Sequence, residues 1–411
     1  MSDYLQRATK VLQRINELAS VSEDKGRITR TYGTKAFIEG RNKTEVWMKE
    51  AGLQTRVDNI GNIRGRLLSQ NAHAKIFVIA SHIDTIINAG KFDGTLGVLV
   101  GLDLVEQIIQ SKIELPFHIE LTGFCDEEGC RFHTTYLGSK VLSGSFDTAT
   151  LEIKDATGIS LRDVIREIGG DINELDKDAI AKKNWAGYFE IHIEQGPVLY
   201  EKNIPVGLVT AIAGQYRVEM VLNGEAGHAG TVPMDMRKDA LACAAAFILE
   251  AEKFAVNKKN LVVTVGKLHI INSASNVIPG EVICSLDLRS ADETILLSSY
   301  DAIKKMAADI CKKRNIMLEW NLIQQTKPVT CDVKMNELLV RAIKETGYEP
   351  VELASGAGHD AVPVSAVSPV AMLLVRCFKG ISHNPLENVE LKDLAAAIKV
   401  SDNFIQQLIK K

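Results

Sequence analysis

Along the chain, stretches whose apolar positions recur every three to four residues alternate with short runs that are apolar at nearly every position. Leu5, Ala8, Val11, Leu12 and Ile15 share one helical face, and a second amphipathic helix is predicted between Thr34 and Ala51. Ile76 to Ile83 is a β-branched run of the kind a strand covered on both faces requires. A glycine-bearing turn and an apolar helical segment, Gly97 to Ile109, follow it. The next strand, Phe117 to Phe124, stops at Cys125-Asp126-Glu127-Glu128. Polar residues thus gather where strands end, which in open α/β sheets is where ligands bind.

From Tyr216 the pattern changes. Strand Arg217 to Leu222, helix Asp239 to Phe254, strands Leu261 to Ile270 and Val282 to Arg289, helix Glu293 to Lys313 and strand Met317 to Ile323 give the order β-α-β-β-α-β of a ferredoxin-like unit. Strand Val370 to Val375 and helix Leu391 to Ile409 then supply what the first region lacks. The expected fold class is α/β, a central mixed sheet flanked by helices over residues 1–214 and 326–411. An α+β domain over 215–325 is inserted into it, with pivots near Gly214 and Gln325.

Length agrees, since 411 residues exceed one comfortable core. A formal charge of -4 provides no basic footprint, so neither nucleic acid nor an anionic membrane is an expected partner, and small molecules are. No stretch approaches the roughly 20 uninterrupted apolar residues that span a bilayer. The first helix lacks the apolar core and cleavage site of a signal peptide. Seven cysteines, odd in number and without CxxC pairs, fit a reducing compartment, and a cytoplasmic location is expected.

The candidate chemistry lies in five short motifs: His82 in SHIDT, Asp93 in KFDG, Glu127 and Glu128 in DEEG, His192 in HIEQG and His383 in GISHNP. Imidazole nitrogens with carboxylate oxygens suit zinc, manganese, cobalt or nickel better than calcium. Singly, each motif is ordinary: a histidine at a strand end is usually structural and a double acid is usually a solvated turn. Together they suit a paired site, in which a carboxylate shared by two ions about 3.5 to 4 Å apart activates water for hydrolysis.

Read in order, SHIDT, KFDGTLG, DEEGCRF, HIEQGPVL, GEAGHAGTVP, NVIPG, DLR, SGAGHDA and GISHNP resemble the M20 metallopeptidase superfamily, specifically its N-carbamoyl-L-amino-acid hydrolase and allantoate amidohydrolase branch. The resemblance covers nearly the whole chain. It implies two divalent ions per subunit (Zn, Mn, Co or Ni), with His82 and His192 each on one ion, Asp93 bridging both, and Glu128 and His383 completing the set. It makes Glu127 the general base toward a water between the ions, and Asp84 the residue that orients His82. On the inserted lid it implies that His228 reaches the partner subunit's site in a homodimer and stabilises the oxyanion. Arg289 would bind the substrate carboxylate through two parallel hydrogen bonds, with Asn276, Gln195 and, through its backbone, Gly358 as further contacts. The implied substrate is a small ureido acid.

The residues alone leave other fates open: Arg289 paired with Asp287, and Asn276 as a turn former before proline. Cys125 reads as inert packing and His133 as outside the ligand set. An exopeptidase or aminoacylase of the same superfamily, or a catalytically silent module of the same fold, are the alternatives. An imidazole at His192, where the peptidases usually carry an acid, argues against the first. A retained Glu127 argues against the second.

Overall fold

The computed structural model describes residues 2–410 and divides into two compact units. One runs to Thr210 and resumes over Cys331–Leu353 and from His359 onward; the other comprises Ala211–Thr330 and Ala354–Gly358.

In the first unit, the sheet runs in the order Gln54–Val57, Ile63–Leu67, His118–Phe124, Ile76–His82, Trp185–Ile193, Val370–Val375 and Val206–Ile212. The middle four strands are parallel and the flanking pairings antiparallel, so the sheet is mixed. Every residue of Ile76–His82, His118–Phe124 and Val370–Val375 is buried, as unbroken apolar runs require. Helix Thr95–Ser111 lies directly on the sheet because Gly97 and Gly101 carry no side chain there. A Cβ on Gly97 would stand 2.0 Å from the Ile191 carbonyl oxygen. Helices Ser2–Ala19, Val333–Glu345 and Leu391–Ile409 bury apolar faces around this core. Side-chain caps set helix starts, Thr34 accepting from Phe37 N and Asp332 from Met335 N.

The second unit has the expected element order. Its sheet runs Met317–Thr326, Gly214–Asn223, Glu281–Ser290 and then an edge, all antiparallel. Tyr216, Val218, Met220 and Leu222, with Val282, Cys284, Leu286 and Leu288, turn toward helices Ala240–Val256 and Glu293–Lys313. One expectation needs correction. The continuous strand Leu261 to Ile270 is two pieces, Val262–Thr264 and Leu268–Ile270. Between them, near Gly266, Lys267 N donates to the Ser285 hydroxyl and Ser285 N to the Lys267 carbonyl, which interrupts the ladder.

Among the described residues no helix is long and apolar enough to cross a membrane. All seven cysteines are free.

Candidate metal centre and active site

The register of the parallel strands brings their carboxyl ends level. His82 ends one strand opposite Phe124, and His192 stands opposite Leu374, one residue before another ends. Just past these ends lie the loops with Asp93, Asp126 to Glu128, Gln195 and His383. Asp126, Gln195 and His383 hold φ of 50°, 54° and 55°. Left-handed backbone at residues other than glycine costs about 1–2 kcal/mol each and persists where surrounding contacts over-determine the loop.

His82 Nδ1 lies 3.1 Å from the Asp84 carbonyl oxygen, and His192 Nδ1 lies 3.0 Å from that of Ile193. A carbonyl only accepts, so each Nδ1 carries the proton and each Nε2 presents a lone pair. These two Nε2 atoms face one another at 3.4 Å. Asp93 divides its oxygens: Oδ1 is 3.2 Å from His192 Nε2, and Oδ2 is 3.1 Å from His383 Nε2, which is 3.4 Å from Glu128 Oε1. Donors about 2.0–2.2 Å from a tetrahedral ion lie about 3.3–3.6 Å apart. The donor sets His82–Asp93–His192 and Asp93–Glu128–His383 fit two such ions sharing Asp93, which corrects the expected division: His82 and His192, with Nε2 atoms 3.4 Å apart, fall in one set and not one on each ion. A third set, His82–Glu127–Glu128, puts Glu127 beside them.

Electrostatics agree with a site built for cations. Burial pushes the Glu127 carboxyl well up, with Glu128 and Asp360 adding to it, and burial likewise raises Asp126 and Asp360 and lifts Asp84 to about 6. Burial opposes ionisation of Asp93 too, but the hydrogen bond from His383 and the nearby His192 and His82 hold it well below the usual range. Hydrogen bonds to Asp93 and Glu128 raise His383 to about 10. Buried like charges of this density are relieved by divalent ions.

One reading changes in detail. The Asp84 carboxylate is 3.7 Å from His82 Nδ1, beyond hydrogen-bond reach, because it accepts instead from Glu127 N at 3.2 Å and Glu128 N at 3.3 Å. Asp84 therefore orients His82 through its carbonyl and the two acids through its side chain. Gln195 joins the cluster, Nε2 donating to both Asp93 oxygens at 3.1 Å.

The remaining sequence candidates lie on the inserted unit. His228 and Asn276 come together in a short ladder, where His228 pairs with Val277 and Ala229 N donates to the Asn276 carbonyl. His228 Nδ1 accepts from Gly230 N, which leaves Nε2 as the donor. Arg289 is paired with Asp287 through Nε and Nη2, and Nη1 donates to the Gly356 carbonyl, two residues before Gly358.

Four neighbours of the candidate ligands carry no signal in the sequence. The His359 ring packs edge-on against His192 with centroids 4.6 Å apart, and Asp360 accepts from Ser139. Both belong to SGAGHDA, which had suggested only backbone donors. Glu387 and Ser382 flank His383, and no period or pairing in the sequence marks them.

A family model, Peptidase family M20/M25/M40, matches residues 78–407. The chain belongs to this family. It is a hydrolase of carbon–nitrogen bonds. It is 37% identical to an N-carbamoyl-L-amino acid amidohydrolase of Geobacillus stearothermophilus, over 97% of this chain and 98% of that one. It is 36% identical to allantoate deiminase 2 of Glycine max, over 97% of this chain and 89% of that one. Among solved structures, an amidase of the hydantoinase/carbamoylase family from Burkholderia multivorans superposes with a TM-score of 0.91 at 30% identity, covering 98% of each chain.

Proposed function

We propose that this family member removes the carbamoyl group of a small ureido acid, an N-carbamoyl-L-amino acid or allantoate, using two divalent ions of the zinc, manganese, cobalt or nickel type. The observation that carries the reading is the pair of Nε2 lone pairs facing each other at 3.4 Å beside a carboxylate whose two oxygens turn to different histidines. His82, Asp93 and His192 would hold one ion, and Asp93, Glu128 and His383 the other. When bound, the ions supply Lewis acidity and a more acidic water.

The residues of the chain do the rest. Glu127, whose carboxyl is pushed up by burial, takes a proton from the attacking water and returns it to the leaving nitrogen. Asp84 holds the backbone of Glu127 and Glu128 in place. The Nε2 proton of His228 is the donor a developing oxyanion needs. The guanidinium of Arg289, braced by Asp287, receives the substrate carboxylate, with Asn276, Gln195 and the Gly358 backbone as further polar contacts. Residues on the inserted unit act when that unit closes as a lid. A second copy of the chain joins through the same unit, supported by the exposed Met317, Leu322 and Ile323 on its edge strand Met317–Thr326. Seven free cysteines suit a reducing cytoplasm.

The test is ammonia release from N-carbamoyl-L-amino acids, allantoate and 3-ureidopropionate, against dipeptide cleavage, by protein stripped with chelator and reloaded with each ion. Glu127→Gln should bind metal and lose at least about 100-fold in kcat. Full turnover in that variant removes the proposed base, and a preference for dipeptides removes the ureido substrate.

A further inference from the structure

Of the proposed ligands, His82 and His192 stand on buried sheet strands, and the sheet fixes them. His383 does not have that support. It lies in a left-handed position of a loop, and its side chain is 47% exposed. Something else must hold it against Asp93. Glu387 is 4% exposed, and its Oε1 accepts from the backbone nitrogens of Phe92 at 2.7 Å and Asp93 at 3.1 Å. Its Oε2 lies 3.1 Å from the Ser382 hydroxyl, which is 3.2 Å from Asp93 Oδ2. The carboxylate therefore brackets two loops distant in sequence, one carrying Asp93 and the other His383. The bracket is also closely fitted, since a Cβ on Gly90 would stand 2.3 Å from the Glu387 carboxyl carbon.

We infer that Glu387, with Ser382, is a positioning residue for one half of the proposed metal site, and sets cation affinity at Asp93–Glu128–His383 while leaving His82–Asp93–His192 nearly untouched. The inference rests on the two-ion reading above. Its physical basis is an asymmetry of support. Removing the bracket frees the His383 loop and takes one acceptor from the Asp93 backbone, but the Asp93 carboxylate keeps the Gln195 hydrogen bonds, and the other half keeps two strand-borne, carbonyl-oriented imidazoles. Loss of an outer contact of this kind commonly lowers metal affinity 10- to 100-fold. Positioning also separates from charge: a glutamine at 387 keeps an oxygen for the same two backbone donors.

The experiment is a titration of the full chain with Mn2+, wild type beside Glu387→Ala, Glu387→Gln and Ser382→Ala, with free ion counted by electron paramagnetic resonance and thermal unfolding run in parallel. Wild type should take up two ions. Glu387→Ala should keep the first at wild-type affinity and bind the second about 10- to 100-fold more weakly, with the signal of a coupled ion pair giving way to that of an isolated ion. Glu387→Gln should bind both, and Ser382→Ala, which leaves Glu387 in place, should weaken only the second. Equal weakening of both ions, a glutamine variant as impaired as alanine, or an alanine variant that binds both normally overturns the inference and leaves the two-ion reading standing. Wild type that binds fewer than two ions overturns both. If Glu387→Ala does not fold, the Ser382→Ala titration decides.

Discussion

Gly94→Ala turns the close packing at the metal loop into a measurable effect. Gly94 precedes helix Thr95–Ser111 with φ 64° and ψ -55°, a region that side chains enter only with strain. A Cβ there would stand 2.4 Å from His82 Cε1 and Nδ1 and 2.5 Å from Cδ2, against an ordinary contact of 3.4 Å or more. The methyl would press on the imidazole from one side, and the ring must retreat by about 1 Å, several times the roughly 0.2 Å by which ligand distances vary in working metal sites. Backbone strain of about 1–3 kcal/mol adds to an overpacking cost of similar size. A loss of about 2–5 kcal/mol in stability and a large loss of cation affinity are expected together. Gly347→Ala is the control: its φ is 89°, yet its Cβ would meet nothing within 4 Å, so it should lose stability and keep its metal. Thermal unfolding and bound metal after dialysis measure both. A Gly94→Ala protein that holds its ions as tightly as wild type refutes the placement of His82 as a ligand.

Three further outcomes are expected. Glu106 is held below its ordinary value near 4.5, burial notwithstanding, by hydrogen bonds from Arg14 at 2.8 Å and Lys10 at 2.7 Å. Its contribution is thus complete above that value and lost as pH falls through the lower folded one. Glu106→Gln should cost about 1.5–3 kcal/mol at pH 7 in denaturant unfolding, with the gap to wild type closing in acid; a gap independent of pH would refute the ion pairing. Arg289→Lys should lower kcat/KM for a ureido acid about 10- to 100-fold, mostly through KM, because a fork with two parallel donors becomes a point charge, and unchanged kinetics would dismiss the carboxylate role. Chelation should lower the melting temperature, and added divalent ion should restore it in a concentration-dependent way, whereas an unresponsive melting point would contradict a folded-state metal site.

Much of the fold was legible because burial leaves a periodic trace. The continuous apolar runs at Ile76 and Val370 gave central strands, and the alternation in Val282 to Arg289 gave a strand with one face on helices. The split near Gly266 was not legible, since it depends on a hydroxyl, Ser285, from a neighbouring strand. A strand end pointed to His82, the HIEQG motif to His192, and the double acid to Glu127 and Glu128. Glu387 and Asp360 stayed hidden because their partners are backbone amides and a serine far away in the chain, contacts that leave no spacing to read. The partner of the Asp84 carboxylate was equally hidden: the amides of Glu127 and Glu128, 43 and 44 residues away, hold it away from His82, its near neighbour in sequence.

The two borders of the inserted sheet are unlike. One is broken where Lys267 and Ser285 exchange hydrogen bonds, so its amides and carbonyls offer no long template to a newcomer. The other, Met317–Thr326, pairs regularly with Gly214–Asn223 from Met317 to Leu322 and shifts register only beyond it. Growth of strands into a filament needs two hospitable borders on every copy. With a single one, zipping of two copies would end after the first neighbour, and the same break that disrupts a ladder would keep such association finite.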